Sequence, residues 1–218
     1  MKLADLGFLK GVIEECIIST YSIEGKVDAA PMGVIVEDEA HVIVTFFNSS
    51  ATCNNIKANK CATVNLTSNI EVFYKTAFKE ANINGKLPQE WFEKARSVNA
   101  PKLRSAEATI EVSVTELVPL SSEKTKAVFE IKLLEATPKY PQVYCRAMAA
   151  TLEAILHGTR VKFFINDKNK QKQVTTLLEQ IQGCNELVKK VAPNSVYSTV
   201  MVDLLKRIDL WRQKKSRN

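Results

Sequence analysis

Nine consecutive residues, Asn48 to Ile56 (NSSATCNNI), hold seven side chains with a hydroxyl, thiol or amide and no charge. Neutral hydrogen-bonding groups at that density have two readings when they stand between a strand and a helix. One is a loop closed by an N-cap. The other is a cradle for an anion such as phosphate, in which Ser49, Ser50, Thr52, Asn54 and Asn55 act together with the unpaired N–H groups of the first helical turn. A second stretch, Asp28 to Val34 (DAAPMGV), breaks strand rules. Pro31 cannot donate to a ladder, and a glycine such as Gly33 inside a strand marks a close approach by a ligand or another chain. Small side chains from Ala30 to Val34 leave room for a flat ring, and Met32 offers a polarizable thioether to an aromatic system.

Other chemistries find less support. The seven glycines form neither a dinucleotide-binding nor a phosphate-loop fingerprint, and there is no G-x-S-x-G elbow. Five scattered cysteines without a C-x-x-C pair argue against a zinc cluster or a disulfide framework. The two histidines, His41 and His157, lack metal-ligand spacing, so no metal site is expected. Spacing leaves a Cys/His nucleophile pair open, but every cysteine sits in an apolar or strand context and reads as a packed thiol. His157 reads as a residue that stabilises a helix end.

The elements that must position the two stretches follow from periodicity. Val12 to Ser22, Val27 to Glu37 and His41 to Phe47 are rich in β-branched residues and separated by the turns EGK and EDEA, which predicts a three-stranded meander. A meander brings DAAPMGV and NSSATCNNI to one end of a sheet. A short helix over Asn54 to Asn59, the strand CATVNLT and a helix in NIEVFYKTAFKEA come next, the last with Ile70, Phe73, Tyr74 and Ala77 on one face. Pro88 predicts the start of a helix, PQEWFEKARSV. In AEATIEVSVTELV, Ala108, Ile110, Val112 and Val114 alternate with Thr109, Glu111, Ser113 and Thr115, the pattern of a half-buried antiparallel strand partnered by KAVFEIKLLEA. From Pro141 the period is helical: a helix from Val143 ending at Gly158, then helices over 168–191 and 196–213 with Ser195 as an N-cap, and a frayed RQKKSRN. The expectation is an α+β chain: an antiparallel, Greek-key-like split β-barrel with helical inserts over 1–140, and a helical segment over 141–218.

Composition agrees with a folded, water-soluble chain of 218 residues, 45% hydrophobic and 25% charged, without an apolar run long enough to span a membrane. Acids within the first 15 residues oppose a signal peptide, and a cytoplasmic location is expected. The net charge of +6 is uneven: residues 160–218 hold 13 basic against 5 acidic residues, and residues 1–159 hold 17 against 19. The basic segment is either a solvated helical face or a surface for anionic partners.

Taken in order, IISTYSIEGKVDAAPMGV, TFFNSSATCNNIKANKCATVNLT, FYKTAF and CRAMAATLEAILHGTRV resemble an archaeal family, domain of unknown function 447. Its fold is the FMN-binding split barrel, related to flavin reductase-like and pyridoxamine-phosphate-oxidase-like domains. The resemblance spans most of residues 12–163. This chain has Asp28 where the family usually shows Asn, and Asn69 where it shows Asp. The resemblance implies an FMN whose phosphate sits at Ser49, Ser50, Thr52 and Asn55. Its isoalloxazine would lie against Ala30, Pro31, Met32 and Gly33, with Asn48 and Asn65 nearby. It also implies a homodimer with flavin at the interface. Arg146 matches the family's RA position and would add a cation to the phosphate or ring, or else form a surface ion pair. Three functions are thereby in view. The first is a flavin-dependent oxidoreductase or reductase using a nicotinamide nucleotide or other electron donor, and the second a flavin carrier or sensor without turnover. The third is a nucleic-acid binder using the basic helices, which is disfavoured because Phe163, Phe164, Tyr197 and Trp211 are the only aromatics there.

Overall fold

The structure, a computed structural model, describes residues 1–138 and 145–215. The expected boundary between residues 140 and 141, the helical start at Val143 and the terminal SRN lie outside the described residues. Two compact units divide the chain: the first takes Met1–Ser68 and the chain from Asn82 through the last strand, the second Asn69–Ala81 and the helices from Arg146 on.

The first unit is a closed antiparallel barrel. Its six long strands are β1 (Ile13–Tyr21), β2 (Val27–Val36), β3 (His41–Phe47), β4 (Cys61–Leu66), β7 (Ala108–Pro119) and β8 (Lys124–Ala136), ordered β1-β2-β3-β8-β7-β4. The expected meander is present, with Gly25 at φ 75° in the first turn. Alternate residues fill the interior, among them Cys16, Ile18, Val34, Val44, Val64, Ile110 and Phe129. The segment before β1 adds Leu3 and Phe8 to that core. The barrel is split between β2 and β3. Their register pairs Val34, Ile35 and Val36 with Val44, Ile43 and Val42, whereas Val27 to Gly33 have no partner on β3. Pro31, which lacks an N–H, lies in this unpaired half.

Helix α1 (Ala51–Asn59) follows β3 and begins three residues earlier than Asn54. Ser50 caps it: the Ser50 hydroxyl accepts from the Cys53 amide at 3.1 Å and donates to the Phe47 carbonyl at 2.8 Å. Cys53 and Ile56 join the barrel core, so α1 closes the barrel at the split.

Two expectations fail in the connection to β7. Pro88 opens no long helix; a 3-10 turn at Gln89–Trp91 leads directly into β5 (Phe92–Lys94), which pairs with β6 (Pro101–Leu103). The polar face of β7 is solvated only in its second half: Thr109 and Glu111 are 5% and 0% exposed, whereas Ser113 is half-buried and Thr115 exposed. The two failures have one cause. The 92–103 segment lies over the outer face of β1, β4 and β7 and bonds to polar side chains of β4 and β7, and those bonds override the helical pattern around Trp91. Thr63 donates to the Pro101 carbonyl at 2.6 Å, and Glu111 accepts from the amides of Arg96 and Ser97 and the Ser97 hydroxyl at 2.5–2.8 Å.

The second unit holds α2 (Ile70–Ala77), α3 (Arg146–Phe164), α4 (Gln171–Val191) and α5 (Val196–Lys215). Asn69 caps α2 by accepting from the amides of Glu71 and Val72, and Ser195 accepts from the Ser198 amide at the start of α5. Gly158 does not end its helix, which runs on to Phe164. A Cβ there would lie 2.9 Å from Leu204 and 3.1 Å from Phe78, so the glycine serves close helix packing. His157 is likewise inside α3 and buried, not at a helix end. Tyr74 donates to Asp203 at 2.6 Å and accepts from Arg207 at 2.9 Å, joining α2 to α5. Among the described residues, no helix is long and apolar enough to cross a membrane.

Candidate functional site

The unpaired half of β2 and the first turn of α1 meet at the split. Three side-chain bonds hold α1 there, from one stripe of the helix. Thr52 donates to Asp28 Oδ2 at 2.9 Å, Asn55 to the Thr20 hydroxyl at 2.9 Å, and Asn59 to the Tyr21 carbonyl at 2.7 Å. The spacing 52, 55, 59 follows the helical repeat. Cys53 and Ile56, on the adjacent stripe, supply the apolar half of the same contact.

This geometry assigns several sequence-predicted residues to construction. Thr52 and Asn55 are 2% and 8% exposed, and their side chains already bond to β2 and β1. The Ser50 hydroxyl is the helix cap. The Asn48 side chain donates to the Ser122 carbonyl at 2.9 Å and accepts from the Thr125 hydroxyl at 2.5 Å, tying the loop to the β7–β8 turn. What remains open to an anion is the exposed Ser49 together with the amides of Ala51 and Thr52, which carry no hydrogen bond among the described residues.

On β2 the side chains alternate. Met32, half-buried, packs against the barrel core. Pro31 and Gly33 lie on the opposite face, where Pro31, Ile17 and Asn65 form one row across β2, β1 and β4. Gly33 has a local reason: a Cβ there would come within 2.5 Å of Ile13 Cγ2. Ala30 to Gly33 are all half-buried. Asn65 is fully buried beneath the 92–103 segment; its amide donates to the Ile17 carbonyl and the Ser19 hydroxyl, and its oxygen accepts from the Leu103 amide at 2.9 Å. Ten of the eleven predicted residues thus belong to the first unit, and nine of them, all but Asn65, lie on the two stretches Asp28–Val34 and Asn48–Ile56. Arg146 belongs to the second unit, exposed at the first position of α3.

Sequence reasoning missed Asp28 and Thr20 as partners of α1. Thr20 and Asp28 face each other across the β1–β2 ladder, both buried below an exposed turn, a signal legible only once their pairing with α1 is known. Three of the five thiols are packed groups: Cys16, Cys53 and Cys61 are buried, Cys145 and Cys184 are half-buried, and burial together with Glu15 and Glu14 pushes Cys16 up to about 12. Among the described residues no three His, Cys, Asp or Glu side chains are placed to hold a metal.

The FMN-bound DUF447 protein of Methanosarcina mazei superposes with a TM-score of 0.75 over 94% of this chain and 99% of its own, at 23% identity. That likeness establishes the split-barrel fold. Nitrilotriacetate monooxygenase component B from Bacillus cereus is a more distant structure, at 13% identity and TM-score 0.49 over 67% of this chain and 82% of its own. Further out still is the 2-nitrobenzoate 2-nitroreductase of Pseudomonas fluorescens, at 14% identity and TM-score 0.47 over 58% and 67%. No curated protein sequence matches. The model described as protein of unknown function (DUF447), N-terminal domain, matches residues 14–152, more than half of the sequence, and the chain therefore belongs to the DUF447 family.

Proposed function

We propose that this chain is an FMN-binding flavoprotein whose cofactor lies at the split between β2 and α1. The observation that carries the reading is the FMN bound to the family member from Methanosarcina mazei, which matches this chain over nearly its whole length. The residues at the split suit the group. Two amides at a helix N-terminus and the Ser49 hydroxyl are the donor set a phosphate needs. The half-buried backbone of Ala30 to Gly33, unpaired on its β3 side, offers a plane against which a ring can lie. When bound, FMN supplies the redox chemistry, and the chain supplies binding and orientation.

Within that reading the protein is an oxidoreductase of the flavin-reductase kind, taking electrons from a nicotinamide nucleotide or another donor. A homodimer fits the geometry, because the split presents an open face and a second copy would give the flavin its other wall. Titration of the flavin-free full chain with FMN tests the reading: saturable binding at micromolar concentration is expected, and no binding at that level refutes it. Oxidation of NADH or NADPH by the loaded protein separates a reductase from a carrier.

A further inference from the structure

The Asp28–Thr52 pair limits what the anion cradle can do. Thr52 has a single hydroxyl proton, and it goes to Asp28 Oδ2 at 2.9 Å. With that proton committed, the hydroxyl turns lone pairs toward any second group and cannot donate to a phosphate oxygen. Asp28 and Thr52 are 8% and 2% exposed, so water does little to screen the carboxylate from an anion at the first turn of α1. The carboxylate is anchored to the second residue of the helix, Thr52, whose own amide is one of the open donors. A favourable helix terminus and an unfavourable carboxylate therefore act on the same anion.

We propose that Asp28 is a specificity-determining residue that reduces the phosphate's share of flavin affinity, so that the chain discriminates weakly between FMN and riboflavin. This rests on the flavin reading of the same site. Thr52 is then a positioning residue in the wild type: its side chain holds α1 against β2, and its amide, not its hydroxyl, donates to the phosphate. Asp28→Asn keeps the shape but removes the charge. Its amide can donate to the Thr52 oxygen, which frees the hydroxyl proton for a phosphate oxygen. One like charge removed and one hydrogen bond to an anion gained correspond to about tenfold in affinity, felt by FMN and not by riboflavin.

The test titrates flavin-free full chain with FMN and with riboflavin, by quenching of flavin fluorescence, for wild type, Asp28→Asn, Thr52→Val and the double variant. Circular dichroism confirms that each is folded. The expected result is a rise of about tenfold in the FMN-to-riboflavin affinity ratio for Asp28→Asn, a change of under about threefold for Thr52→Val alone, and loss of part of the gain in the double variant. An unchanged or lowered ratio in Asp28→Asn overturns the proposal. So does a tenfold fall in the ratio for Thr52→Val, which would make the hydroxyl a phosphate donor in the wild type. Folded variants that bind neither flavin would overturn the flavin reading itself, a different outcome from either.

Discussion

Glu111→Gln removes the acceptor that fastens residues 96–97 to the barrel. The wild-type carboxylate is fully buried and accepts from the Arg96 amide at 2.8 Å, the Ser97 amide at 2.5 Å and the Ser97 hydroxyl at 2.6 Å. Glutamine retains one acceptor oxygen and turns an NH2 toward the other donors. Of three bonds to a charge, each worth about 1.5–3 kcal/mol, at least one becomes a donor facing a donor and another loses its charge assistance; allowing for relaxation, the loss is about 3 kcal/mol. A cooperative transition of this size falls by about 6–12 °C for that loss. Hydrogen exchange at the amides of Arg96 and Ser97 accelerates up to about a hundredfold, the factor that corresponds to about 3 kcal/mol of lost protection. The acid limb provides a second readout. Burial pushes the Glu111 carboxyl up, but the Ser97 hydroxyl and the amides of Arg96, Ser97 and Val98 outweigh it and hold the group below the usual carboxylate range. A depressed carboxylate stabilises fully above its unfolded value of about 4.3 and loses that contribution as pH falls through the folded value. Wild type and Glu111→Gln therefore converge in stability below that window. Urea denaturation across pH, with exchange read by mass spectrometry, measures both. A loss under about 1 kcal/mol at neutral pH, with unchanged exchange at Arg96 and Ser97, would refute the assignment of Glu111 as the latch.

Two further outcomes are expected. Gly33→Ala places a Cβ against the Cγ2 methyl of Ile13, and because Ile13 is 62% exposed and can turn aside, the cost is about 1 kcal/mol or less; pairing it with Ile13→Ala recovers stability in urea denaturation, and a double variant no more stable than the single one would show the glycine answers to something else. Burial holds the imidazole of His157 below its ordinary value; Glu153 opposes that and Arg160 adds to it. Its contribution is therefore complete above about pH 6.5 and declines as pH falls toward the folded value, because the unfolded chain protonates first. His157→Gln should flatten that slope in thermal unfolding measured from pH 7.5 to 5, and an unaltered slope would exclude His157 as its source.

The strand meander, the β4 strand, the β7–β8 pair and the helical C-terminal third are legible because each carries its own period. The NSSATCNNI stretch was legible as a cap, and Ser50 is that cap. Three things were not legible. Residues 88–98 look helical, yet Trp91 and Phe92 stand in a turn and a short strand because Glu111 and Thr63 bind this segment from a distance in sequence. Gly158 looks like a terminator, but its missing side chain admits Leu204 and Phe78 from elements read separately. At the candidate site, residue type identified Thr52 and Asn55 as hydrogen-bonding groups without telling a ligand from a brace; only the partners Asp28 and Thr20 make that distinction.

The central claim is that the split between β2 and α1 binds FMN, and it is tested most directly by isothermal titration of the flavin-free full chain with FMN, alongside Gly33→Val and Ser49→Ala. The account predicts saturable micromolar or tighter binding in the wild type. It also predicts weakening of about threefold or more in each folded variant, as a bulkier β2 surface or a lost phosphate donor removes one contact. Absence of binding in the wild type, or affinity unchanged in both variants, would contradict it.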